Sequence, residues 1–173
     1  MNFYQSTLAF AGVIQSFPRY GIEVFSGSLF DFKDLSQYDV VVLQSVAEHI
    51  DDILQLLLYL KNNCTNTTML VFGQAIYDGL VPRLLRGFWY GWSPDEHYWH
   101  FTQKSFEHLL KLGGFSVIET VRRPLIHDFY FGLKLKRFVF LNSVAILNLV
   151  ARLLGKEDHA HFFVTITPQN NLP

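Results

Sequence analysis

The residues of this chain best placed to do chemistry follow a short apolar run. Residues 38–49 read YDVVVLQSVAEH. Val40 to Leu43 show no polar alternation, the pattern of a strand covered on both faces. Gln44 and Ser45 end the run, and Glu48 and His49 come one turn later. An imidazole titrates near neutrality and can take a proton from a hydroxyl or an amine. His49 is therefore the candidate base. Its other reading is that Glu48 and His49 cap or brace the helix that follows. Two more histidine pairs stand out: His97 with His100, and His159 with His161. Neither pair has the company of a zinc site. The chain has one cysteine, Cys64, and no helical H-E-x-x-H, so no metal site is expected. His97 and His100 are read either as groups that orient a loop or touch substrate, or as structural hydrogen bonders. Cys64 has no histidine beside it to activate it, and reads as a small residue at a helix end.

These groups need a scaffold, and the pattern supplies an alternating one. Strands are expected at 22–26, 38–44, 68–73, 116–121 and 160–167, sharing one sheet, with Val40–Leu43 almost fully buried. Asp51-Asp52 should cap a helix over roughly 52–62. Thr102 should cap the next, whose apolar face is Phe106, Leu109, Leu110 and Leu112, with Gly113-Gly114 ending it. Residues 128–154 read as mainly helical. The stretch 74–101 is loop-rich and holds all three tryptophans, Trp89, Trp92 and Trp99. A loop of that length inside a compact domain is usually functional. In an open α/β sheet, ligands bind beyond the carboxyl ends of the strands, which is where Gln44 to His49 fall.

At 173 residues the chain has the length of one domain. Its 50% hydrophobic content suffices for a core, and its 16% aromatic content is high. A net charge of −1 with scattered basic residues gives no footprint for a nucleic-acid partner. A single cysteine and no secretory signal suit a reducing cytoplasm. Phe138–Leu154 is apolar but contains Asn142, Asn148 and Arg152, and falls short of the ~20 apolar residues a spanning helix needs. It is expected to pack within the protein or over the substrate site. Contact of 134–154 with a membrane surface, favoured by Lys134, Lys136 and Arg137, is the lesser expectation.

Two segments resemble S-adenosylmethionine-dependent methyltransferases of the Rossmann-like class, small-molecule type. One is the Asp-Val-Val strand leading to a Glu-His pair. The other is residues 95–118, DEHYWHFTQKSFEHLLKLGGFSVI, a His-aromatic turn, a helix, Gly-Phe and a strand. With the C-terminal strand, the resemblance covers about 20–167. It implies an α/β Rossmann-like sheet, mostly parallel with an antiparallel last strand, and methyl transfer from S-adenosylmethionine to a small-molecule acceptor. It also implies site residues. Gln44 and Ser45 would contact the cofactor's methionine and ribose portions. Ser28 and Leu29 would contact adenine, Leu29 through its backbone, with Ser28 standing where the family usually has Asp. His97, Trp99 and His100 would lie on the acceptor side, and His49 would be the base.

The chain departs from the family at its main signature. It has no G-x-G-x-G turn, through which backbone approaches the cofactor, and no acid about 20 residues later for the ribose. The expectation is a single partial domain over 1–173, the C-terminal two thirds of the family's domain, lacking the first two strands. A fragmentary gene is the favoured cause, over a degenerate paralogue or half of a split protein. Cofactor binding should then be weak or absent. An uncovered sheet edge would invite a partner chain or self-association. The alternative function is a non-catalytic remnant that serves as a binding or interaction subunit. A nicotinamide-dependent enzyme fits less well, because the last strand's arrangement and the His-Tyr-Trp-His-Phe-Thr turn point elsewhere.

Overall fold

A computed structural model of the chain describes residues 27–32, 35–89, 91–124 and 134–168. Four strands within them form one sheet: β1 (Val40–Gln44), β2 (Met69–Ala75), β3 (Phe115–Arg123) and β4 (His159–Ile166). Their order is β1-β2-β4-β3. β1 and β2 are parallel, with Val40 opposite Met69 and Gln44 opposite Gly73. β4 lies between β2 and β3 and runs antiparallel to both. The α/β sheet with an antiparallel last strand is as expected from sequence. The expected strand at 22–26 lies outside the described residues.

One face of this sheet carries the core. Side chains alternate along a strand, so Leu43 of β1, Leu70 and Phe72 of β2, and Ala160, Phe162 and Val164 of β4 share a side. All six are buried. Helix α1 (Ile53–Asn63) covers them with Ile53, Leu56, Leu57 and Leu60, while Leu54 and Leu58 face water. Helix α2 (Leu80–Leu85) is short. Helix α3 (Gln103–Leu112) inserts Phe106, whose ring packs on Phe72, Phe101 and Phe162 at centroid distances of 5.5, 4.8 and 4.8 Å. Edge-on and tilted packing of this kind adds about 0.5–1.5 kcal/mol per pair beyond burial. Helix α4 (Lys134–Leu153) completes the elements. Among the described residues no helix is long and apolar enough to cross a membrane.

The helix ends follow their local chemistry. Asp52 accepts the Gln55 amide at 3.0 Å and starts α1. Thr102 and Ser105 exchange side-chain and backbone hydrogen bonds in a capping box at the start of α3. Gly114, at φ +84°, turns the chain out of α3 in a conformation that side chains disfavour. Cys64 is the residue after α1, half-buried, with burial pushing its thiol up to about 11. A thiol so protonated is a poor nucleophile.

Three expectations need correction. Val40–Leu43 is not almost fully buried: only Leu43 is, and Val42 is 38% exposed. Val42 and Gln44 lie on the face that α1 and α3 do not cover. Leu112 is 70% exposed, because at 100° per residue it sits about 120° round the helix from Phe106. The 74–101 stretch begins inside β2 and contains α2 and a 3₁₀ turn, Arg86–Phe88. Its Trp89 is fixed, with the indole N–H donating to buried Asp158 at 3.0 Å.

Phe106 is the hub of the core. Phe106→Ala is expected to cost about 3–5 kcal/mol, and Thr102→Ala about 1 kcal/mol. Urea unfolding of the two variants should rank them in that order.

Candidate functional site

Beyond β1 the chain turns hard. Ser45 adopts φ +50°, and its N–H donates to the Gly73 carbonyl at 2.8 Å, extending the ladder by one bond. Ala47–His49 then form one 3₁₀ turn in which Ala47 and Glu48 are buried. The loop before α3 is tied down on this turn. The Glu48 carbonyl accepts the N–H groups of Tyr98 at 2.8 Å and Trp99 at 3.4 Å. The Trp99 indole donates to the Ile50 carbonyl at 2.8 Å. His49 Nδ1 donates to the Glu96 carbonyl at 3.0 Å. A carbonyl can only accept, so this bond sets the neutral tautomer: proton on Nδ1, lone pair on Nε2. The His49 and His97 rings meet edge to face at 4.7 Å. The result is a crevice of about 410 Å³ lined by Ser45, Val46, His49 and residues 94–98.

Behind the crevice lies a polar interior. Glu48 is 2% exposed and Gln74 is 1% exposed. Glu48 Oε2, Gln74 Oε1 and His100 Nε2 are each buried without a hydrogen-bond partner. All three residues line one small void of about 10 Å³, together with His97 and Trp99. Burial pushes the Glu48 carboxyl above its ordinary value, against the smaller pull of backbone amide, Gln74, His49 and Ser45. Burial also lowers His97, helped by the charges of His49 and His100, with Glu96 and the Gly91 carbonyl opposing. His100 is lowered by burial alone.

A second polar group sits on the opposite face of the sheet. Gln44, Gly73 and His161 are cross-strand partners in a row. The Gln44 side chain lies flat over Gly73, where any Cβ would strike its amide. It thereby reaches His159 Nε2 at 3.0 Å and His161 Nε2 at 3.3 Å. These three line a cavity of about 460 Å³ with Arg123, Pro124, Arg152 and Glu157. Burial, then the charge of His161, pushes His159 down to about 4. His161 is lowered by burial and by Arg123.

The residues singled out in the sequence thus divide. Ser45, His49 and His97 front one crevice; Trp99 and His100 line the void behind it. Gln44 is turned to the other face. Ser28 caps a 3₁₀ turn, its hydroxyl accepting the Phe30 N–H at 3.2 Å, and the Leu29 side chain is buried in the core. Neither lines the crevice. Sequence reasoning passed over Gln74 and the Glu48 carboxylate as site groups. One signal was there: Gln74 stands next to the end of β2 as Gln44 ends β1, at neighbouring strand ends.

The comparisons with known proteins agree on one fold. The family model for a methyltransferase domain matches residues 9–120. Among solved structures, a SAM-dependent methyltransferase from Thermotoga maritima superposes with TM-score 0.57 at 12% identity, over 86% of this chain and 65% of that one. One from Archaeoglobus fulgidus gives 0.54 at 12% identity, over 87% and 70%. One from Clostridium acetobutylicum gives 0.50 at 10%, over 88% and 68%. The chain therefore spans about two thirds of the length of these structures. No curated protein matches the sequence.

The depressed His159 has a measurable effect. It is neutral in the folded chain down to about pH 4, whereas unfolded it takes a proton near 6.5. Its contribution is present above pH 6.5 and is lost as pH falls towards 4, by up to ~3 kcal/mol. Raised Glu48 opposes this slope. The expected result is that melting temperature falls from pH 7 to pH 5 more steeply in the wild type than in His159→Gln.

Proposed function

The chain belongs to the methyltransferase domain family, and on that premise we propose that it transfers a methyl group to a small-molecule acceptor held in the crevice between the end of β1 and the 94–98 loop. S-adenosylmethionine is the donor that this family membership implies, and it supplies the methyl group. The observation that supports the acceptor site is the meeting of His49 and His97 at 4.7 Å over the strand ends, under a loop fastened by backbone bonds to Glu48. The crevice opens where an α/β sheet offers its ligand position.

Within this reading each residue has a task. The tethered loop holds the acceptor against the strand end, so that proximity and orientation supply much of the rate. His49 serves removal of the acceptor's proton through Nε2, the atom its bond to Glu96 leaves with the lone pair. His97 packs on that ring and confines the acceptor. The cofactor side is less complete. Of the four residues assigned to it, only Ser45 fronts the crevice. The Ser28 hydroxyl and the Gln44 amide are engaged elsewhere, and the sequence holds no G-x-G-x-G turn. We infer weak cofactor binding.

Calorimetric titration of the purified chain with S-adenosylmethionine should give a dissociation constant weaker than micromolar; a tighter one contradicts the cofactor-side reading. With radiolabelled donor at saturating concentration, a panel of hydroxyl and amine acceptors should reveal label transfer. His49→Ala should cut it about 10²-fold, and His97→Ala at least tenfold, with cofactor affinity unchanged in both. A loss of cofactor affinity equal to the loss of turnover would remove these residues from the acceptor side. No transfer to any acceptor would favour the non-catalytic reading, a binding or interaction subunit.

A further inference from the structure

We propose that Glu48, His49 and His97 hold a divalent metal ion of the zinc, cobalt or manganese class, and that an oxygen of the acceptor completes its coordination. No metal is expected from the spacing of these residues, which is not that of a zinc motif. The fold brings them together from two segments. One carboxylate oxygen and one nitrogen from each imidazole lie within 4.8 Å of one another. Small side-chain rotations bring such a set to the ~2.0–2.2 Å bond lengths of these ions. Two imidazoles and a carboxylate are ligands suited to that class rather than to calcium or magnesium, which prefer all-oxygen sites.

A second observation points to a cation independently. Glu48 Oε2 is buried without a hydrogen-bond partner in a residue 2% exposed. A buried carboxylate oxygen left so is costly, and among the described residues no Lys or Arg forms an ion pair with it. The void beside it, about 10 Å³ and room for about one water, is lined by Glu48 and His97, whereas His49 fronts the adjoining crevice.

The surroundings also have the form that metal-bound histidines require. A ligating imidazole usually donates its other N–H to a carbonyl or carboxylate, which fixes ring and tautomer. His49 does so from Nδ1 to the Glu96 carbonyl, leaving the lone pair on Nε2. His97 is likewise engaged with the Gly91 carbonyl. Both carbonyls belong to the same loop as His97, so the loop that closes the crevice also aims the ligands. With one carboxylate against a divalent ion, the centre keeps a net positive charge and favours an acceptor with a hydroxyl or phenol oxygen over an amine. This choice of acceptor rests on the methyl-transfer reading; the metal site itself does not. With the ion bound, His49 Nε2 is a ligand and no longer the base: the ion lowers the pKa of the acceptor hydroxyl, whose proton then leaves to solvent.

The test uses the untagged chain in metal-free buffer, without acceptor or cofactor, so that its outcome is separate from that of the methyl-transfer assay. Cobalt(II) is titrated while its ligand-field absorption is followed, and zinc(II) is then added as competitor. The expected result is saturation at one equivalent and displacement by zinc. Glu48→Gln and His97→Ala should each weaken binding at least tenfold, while His108→Ala, at an exposed histidine on α3, leaves it unchanged. Circular dichroism checks the fold of each variant. Should Glu48→Gln fail to fold, the half-exposed His97 position decides alone. Absence of saturable binding, or wild-type affinity in His97→Ala, would overturn the proposal and leave a single buried water as the occupant of the void.

Discussion

The site depends on one residue used at both ends. The Glu48 carbonyl accepts two loop amides, from Tyr98 and Trp99, and its carboxylate is sealed beneath that loop. The two facts belong together. A buried backbone carbonyl has two lone pairs to satisfy, and two consecutive N–H groups satisfy them only if the loop crosses the 3₁₀ turn at a fixed height. That height puts the His97 ring on the His49 ring and closes water off from the Glu48 side chain. The crevice is shaped by backbone bonds, so its geometry is less sensitive to side-chain exchange than most loop sites.

The sheet carries this arrangement because its core is concentrated on one face. Phe106 joins α3 to β2 and β4, and Phe101, at the start of α3, returns to the end of β2, where Tyr77 donates to its carbonyl at 2.7 Å. The loop is therefore pinned behind by the core and in front by Glu48. Arg122 adds a further tie, donating to Asp78, Gln103 and the Glu157 carbonyl, and so links the loop after β2, α3, β3 and the approach to β4. On the opposite face the polar row of Gln44, His159 and His161 relies on Gly73 having no side chain.

Much of this was legible in the chain. Four strands, the Asp52 and Thr102 caps and the Gly114 exit all follow from local signals: apolar runs, capping residues, glycine. The sequence misled where a residue's fate is settled by a distant neighbour. The run Val40–Leu43 looks buried on both sides, yet Val42, on the face away from α1 and α3, is 38% exposed. Leu112 looks like part of an apolar stripe, yet its angle takes it out. Gln44 looks like a group for the crevice and is drawn away by two histidines more than a hundred residues along. The Glu48 carboxylate gives no sign in sequence of being buried, because a glutamate before a histidine is ordinary on any exposed turn.

The position of the tryptophans has a use of its own. All three fall within residues 89–99, one bonded in the interior to Asp158, one packed at a tilt against His100 with ring centroids 4.2 Å apart and one bonded to Ile50 across the tether. The chain's indole emission thus originates entirely in the loop that roofs the crevice. Fluorescence of this protein is in effect a built-in local probe: Trp89 reports a dry interior, while Trp92 and Trp99 report the outer side where a ligand would arrive. Loosening of the roof alone should register there while the far-ultraviolet signal of the helices stays constant.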